Sequence, residues 1–198
     1  MTDSSAAKTY HHNYKIKAWM WILGIVVFIV IGFVGAYNSL VSMDEGVKTA
    51  WSQVETVYQR RVDLIPNLIA TVKGNTQQEK DVFTFVAEAR SKYTSAASPE
   101  ARIQAAGVLE GGLSRLMAIV ENYPDLKSSQ AFQDLMTQLE GTENRISTER
   151  GRYNETVNAF NSSIRRFPKS IIAGMFGFKA YERFKADEGA EVVPEVKF

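Results

Sequence analysis

Between Ala18 and Tyr37 the chain reads AWMWILGIVVFIVIGFVGAY, twenty residues without a charge. As a helix such a run is about 30 Å long, matching the hydrocarbon core of a bilayer. Trp19 and Trp21 stand at one end and Tyr37 at the other, where aromatic rings favour the headgroup level. Beyond Tyr37 the apolar pattern becomes periodic. Leu40, Val47, Trp51, Val54, Tyr58, Ile65, Leu68 and Val72 step by threes and fours, predicting one face of a helix that reaches Gly74. The stripe continues past Pro66, which predicts a kink there and not a stop.

Three more helices follow. The second covers residues 77–97 with Val82, Phe85, Ala89 and Tyr93 inward. The third opens at Ser98-Pro99-Glu100, where serine caps, proline takes the first turn and the acid complements the helix dipole. It carries Ile103, Leu109, Leu113, Leu116 and Val120 to a stop at Tyr123-Pro124. The fourth begins between Asp125 and Ser128 and runs to Phe167. Its stripe is Phe132, Met136, Leu139, Ile146, Tyr153, Val157, Phe160, Ile164 and Phe167, a coiled-coil-like seam with gaps at 143 and 150. Short connections make neighbouring helices antiparallel. The expected fold is all-α: an N-terminal transmembrane helix, then a long antiparallel four-helix bundle and a short membrane-proximal helical segment. The divisions are an N-terminal tail (1–17), the span (18–37), the bundle (38–168) and a C-terminal aromatic and basic segment with its tail (169–198).

Charge orients the span. Lys8, Lys15 and Lys17 precede it with only Asp3 against them, whereas Asp44 and Glu45 are the first charges after it. The positive-inside rule puts the tail in the cytoplasm and the bundle outside a bacterial inner membrane. Val34-Gly35-Ala36 resembles a signal-peptide cleavage site, but the apolar run is longer than a signal peptide's core, which favours an anchor. Over the whole chain, 23 basic against 22 acidic residues give no phosphate-binding excess, so nucleic acid is not an expected partner. With no cysteine, disulfides and thiolate chemistry are excluded.

Charges interrupt the apolar stripes at Arg61, Glu143 and Arg150. Arg61 lies 24 residues after Tyr37 and Glu143 lies 24 before Phe167, so on antiparallel helices both stand about 36 Å from the membrane end. They are expected to face each other in a buried polar cluster with Glu88 and Arg150, an ion pair that fixes register more readily than it performs catalysis. Other chemistry fails on inventory. His11 and His12 are the only histidines and sit in the N-terminal tail, so neither a histidine triad nor a di-metal Glu-x-x-His site forms in the bundle. Gly111-Gly112 lacks the lysine and serine of a phosphate loop, and Glu140 with Glu143 offers too few oxygens for a hard cation. No cofactor, metal or catalytic residue is expected.

Pro168 breaks the helix, and the chain around and beyond it turns aromatic and basic as far as Phe184, with Arg165, Arg166, Lys169, Phe176, Phe178, Lys179 and Arg183 as its notable residues. These residues, with Trp19, Trp21 and Tyr37, are candidates for the membrane interface. The stretch could lie on anionic lipid, fold back over the helices, or dock on a neighbouring subunit.

Ordered blocks of sequence resemble the LemA family. They are Tyr37-Asn38-Ser39-Leu40, Trp51-Ser52-Gln53-Val54, Gln59 to Leu68, Glu121-Asn122-Tyr123-Pro124-Asp125-Leu126-Lys127, Gly141 to Arg150, Tyr153-Asn154, Val157-Asn158 and Phe167-Pro168. Val62 departs from the alanine usual in that family. The resemblance spans Tyr37 to Phe198 and implies a bacterial, membrane-anchored helical protein without established enzymatic function, one branch of which belongs to the magnetosome membrane. The expected function is a non-enzymatic scaffold that binds the bilayer and another membrane or envelope protein. The alternative is a homo-oligomer that organises or remodels membrane, and a hydrolase using a seam carboxylate ranks below both.

Overall fold

The computed structural model describes residues 4–74 and 79–185, with side chains from Trp19 onward. His11 and His12 therefore lie outside the described side chains, as does the tail after residue 185. Regular structure among the described residues is helical throughout: α1 (Ser4–Lys73), α2 (Lys80–Ser95), α3 (Pro99–Val120), α4 (Pro124–Lys127), α5 (Gln130–Ser163) and α6 (Lys169–Phe176). Contacts divide it into two compact units. One gathers the residues up to Glu45 with Ala159–Ala180; the other gathers Gly46–Asn158 with the residues from Tyr181 on.

In the second unit, α1 buries Val54, Tyr58, Val62, Ile65, Leu68 and Val72. The helix runs through Pro66 without a break. Proline has no amide to offer the carbonyl four residues back, which would leave the Val62 oxygen without its helical donor. Arg90 of α2 supplies one: its Nε donates to the Val62 carbonyl at 3.1 Å.

Helix α2 packs on α3, but by a face turned from the one expected. Phe83, Val86, Ala89 and Tyr93 are buried, whereas Val82 and Phe85 are only half-buried. Phe85 lies at the margin, covering Gly112, with the Arg115 guanidinium 4.9 Å from its ring centre. A Cβ at position 112 would stand 3.2 Å from the Phe85 ring, so the absent side chain is what lets the two helices approach. At the start of α3 the Ser98 side chain accepts from the Ala101 amide at 3.2 Å, with Pro99 in the first turn. Helix α3 is long and apolar enough to cross a membrane, yet Leu109, Leu113, Leu116 and Val120 are buried inside this unit.

The expected fourth helix is divided. A single turn, α4, buries Leu126; the chain then restarts at α5 with the Ser129 hydroxyl accepting from the Phe132 amide. Helix α5 buries Phe132, Leu135, Leu139, Ile146, Tyr153 and Val157 in this unit. It ends at Ser163, short of the expected Phe167. Phe167 is 81% exposed and forms no part of the core stripe.

In the first unit the apolar run from Trp19 to Val34 is exposed apart from half-buried Phe33. Helix α6 packs near the end of that run. Ile172 and Ala173 bury themselves with Leu40, flanked by Phe33, Ala36, Tyr37, Ile164 and Phe178. Gly177 closes α6 at φ 74°, a left-handed conformation that suits glycine, and the Phe178 amide returns to the Ala173 carbonyl at 3.0 Å.

Candidate functional site

The second unit holds a cleft of about 1010 Å³ lined by α1, α3, α5 and residues 182–185. Its polar floor begins with Glu110 of α3. The Tyr58 hydroxyl donates to Glu110 Oε1 at 2.6 Å, and Arg150 Nη1 reaches both carboxylate oxygens at 3.2 and 3.4 Å. Beside them Arg61, 4% exposed, donates from Nη2 to Glu143 Oε2. Its Nε is buried without a hydrogen-bond partner. Two arginines and two glutamates thus neutralise one another.

Burial sets the electrostatics. It pulls the Arg61 pKa below the usual guanidinium value, an effect the nearby Glu110 charge opposes. The Tyr58 phenol is pushed well above the usual tyrosine range, first by burial and then by the Glu110 carboxylate. Tyr93, stacked on Tyr58 at 5.3 Å between ring centres, is also raised by burial. A phenol protonated so firmly and donating to a carboxylate is a poor nucleophile.

Arg61, Glu143 and Arg150 therefore share the cleft, but Glu88 does not line it. Glu88 is exposed on α2, and Glu110 takes the role expected of it. Glu110 sits four residues after Ala106 and three before Leu113, both buried, so a carboxylate at core spacing was the signal that could have found it. Glu140 lines the cleft but is exposed. No three His, Cys, Asp or Glu side chains among the described residues converge as a metal site.

One wall of the cleft is an extended strap, residues 181–185. Phe184 enters an aromatic slot, nearly parallel to Trp51 and Tyr58 at 6.1 and 6.3 Å and edge-on to Tyr153 at 5.7 Å. The Arg150 guanidinium lies 4.9 Å from its ring centre. Asn154 clamps the Phe184 backbone at two points: its Nδ2 donates to the carbonyl at 3.0 Å, and its Oδ1 accepts from the amide at 2.9 Å. The Tyr153 hydroxyl donates to the Glu182 carbonyl at 3.0 Å, and Arg150 Nη2 donates to the Lys185 carbonyl at 3.0 Å. Arg183, expected with the membrane-facing cations, is engaged by Asn158 Oδ1 at 2.6 Å, because the strap fixes its backbone beside α5.

The first unit carries the remaining candidates. Trp19 and Trp21 are 68% and 76% exposed. Tyr37 contacts Phe176 and Phe178 at 4.6 and 6.2 Å, and Phe176 also touches Phe33 at 6.2 Å. Lys169 Nζ donates to Ser39 Oγ at 2.8 Å. Arg165, Arg166 and Lys179 are exposed.

These features describe an all-helical protein with an N-terminal helix apolar and long enough to cross a membrane, and a cleft in which Arg61 pairs with Glu143 and Arg150 with Glu110. The LemA family model matches residues 50–198, and the chain belongs to the LemA family. It is 28% identical over 190 residues to magnetosome protein MamQ 2 of Paramagnetospirillum magneticum, covering 83% of this chain and 70% of that protein. It is similarly 28% identical over 189 residues to magnetosome protein MamQ of Magnetospirillum gryphiswaldense, covering 82% and 69%. Against protein LemA of Metamycoplasma hominis it is 23% identical over 169 residues, covering 85% and 77%.

Proposed function

We propose that this chain is a non-enzymatic adaptor: residues 18–37 cross the bacterial inner membrane, the N-terminal tail is cytoplasmic, and the helical body outside binds another membrane or envelope protein. In this reading α1, α2, α3 and α5 form an antiparallel four-helix bundle. The observation that carries it is the cleft. Its arginines and glutamates are paired with one another, and its phenol donates to Glu110, so the charged groups serve register and leave no acid–base couple poised for a substrate. The exposed apolar run supports the anchor, and a membrane setting accords with the relatives named as magnetosome proteins.

The test is the mass of the complex released from native membranes by mild detergent. A second polypeptide in fixed ratio is expected. A closed multiple of the 22.2 kDa chain alone would replace the adaptor by a membrane-organising homo-oligomer. An activity lost in Glu143→Gln with unchanged thermal stability would overturn the non-enzymatic reading.

A further inference from the structure

Helix α6 leaves part of its apolar surface uncovered. Ile172 and Ala173 are buried against Leu40, yet Ile171 is 55% exposed, Met175 68% and Phe176 52%. Ile171 and Met175 lie one turn apart on the same helix face. Phe167, just before the helix, is also exposed. Cations surround this apolar surface: Arg165, Arg166, Lys169 and Lys179, with no acidic residue anywhere from Ala159 to Ala180. Isolated exposed apolar side chains need no explanation, but four on and beside one eight-residue helix form a patch that does.

The position of the patch selects its occupant. Phe176 contacts both Tyr37, the last residue of the apolar run, and Phe33, one turn inside it. One turn is about 5.4 Å along the axis, so the ring is held where the run passes from hydrocarbon depth to headgroup depth. Lys169 is tied to Ser39, just past the run's end. The helix therefore sits where apolar side chains enter the acyl boundary and cations meet headgroups.

We propose that α6 is an interfacial membrane helix: Phe167, Ile171, Met175 and Phe176 insert into the leaflet from which the span emerges, and Arg165, Arg166, Lys169 and Lys179 meet anionic phospholipid. This rests on the reading of residues 18–37 as a span. The chain gains a second membrane contact, which fixes α6 relative to the bilayer surface.

The absence of cysteine makes the test direct. The full chain carrying Met175→Cys with a nitroxide label is reconstituted into phosphatidylcholine vesicles with and without phosphatidylglycerol. Accessibility to oxygen, which partitions into lipid, is compared with accessibility to a water-soluble nickel chelate. Labels at Val26→Cys, within the span, and Gln133→Cys, on exposed α5 surface, calibrate lipid and water. The expected result is severalfold preference for oxygen at 175, approaching that at 26 and strengthened by phosphatidylglycerol. Water-like access at 175 with lipid-like access at 26 overturns the proposal and leaves the span intact. Exclusion of both reagents at 175 overturns it in favour of a protein partner. Independence from phosphatidylglycerol overturns the assignment of the cations to anionic lipid. Water-like access at 26 sinks the anchor reading itself.

Discussion

Glu110 and Glu143 each meet an arginine of the cleft, but the two carboxylates differ in what they support. Glu110 is 24% exposed and satisfies both Tyr58 and Arg150, whereas Glu143 is 56% exposed and serves Arg61. Removing the Glu110 carboxylate leaves the buried Tyr58 hydroxyl without its acceptor and Arg150 without its ion-pair partner, so Glu110→Ala is expected to cost about 1–3 kcal/mol in denaturant unfolding. Glu143→Gln should cost no more than about 1 kcal/mol, since solvent already screens that pair. Arg90 offers a sharper case. Its bond to the Val62 carbonyl replaces the one Pro66 cannot make. Arg90→Met should cost about 1–3 kcal/mol through that carbonyl, and much less when Pro66→Ala restores the helical amide. Equal losses in both backgrounds would show that Arg90 acts by packing alone. Proline's missing amide was legible in the sequence; which side chain answers it was not, because Arg90 is 24 residues away and indistinguishable in sequence from any surface arginine.

At the scale of the element, the strap and the helix faces respond to different measurements. Phe184→Ala should cost about 3 kcal/mol by emptying the slot between Trp51, Tyr58 and Tyr153. Asn154→Ala removes both points of the backbone clamp and should speed hydrogen exchange at the amide of Phe184, with little change in the α3 amides. Unchanged exchange would mean that the aromatic slot alone holds the strap. The existence and order of the helices were legible because the threes-and-fours pattern is local. The Ser98-Pro99 start was legible because a cap is written in adjacent residues. The face of α2 was not: Val82, Phe83, Phe85 and Val86 are all apolar, so the sequence offers two faces about a hundred degrees apart, and tertiary packing, in which Phe85 and Val86 both meet Gly112 of α3, selects one. The sequence leaves the strap open among three readings for a related reason, since Phe184 reads equally as lipid-facing or core until Asn154 is placed beside its backbone.

The molecule as a whole should fail at alkaline pH. Burial raises the phenols of Tyr58 and Tyr93 above the tyrosine range and that of Tyr153 to about 12. A pKa higher in the folded than in the unfolded chain gives stability that is complete below the unfolded value of about 10 and lost as pH rises through it toward the folded values. Helix loss by circular dichroism is therefore expected to coincide with ionisation of a subset of the eight tyrosines, read by phenolate absorbance. Ionisation of all eight with helicity intact would contradict it. Topology is open to an equally simple measurement: a membrane-impermeant maleimide added outside spheroplasts should label Thr137→Cys, but Ser5→Cys only after lysis. The strap also bears on how this protein is made. Its residues are translated after every helix they cover, so the aromatic slot stays open on the nascent chain until synthesis has passed Lys185. During that interval the slot formed by Trp51, Tyr58 and Tyr153 lacks the ring that fills it. Chaperones that shield aromatic surface would find it on stalled chains ending before residue 181 and lose it once the strap has closed.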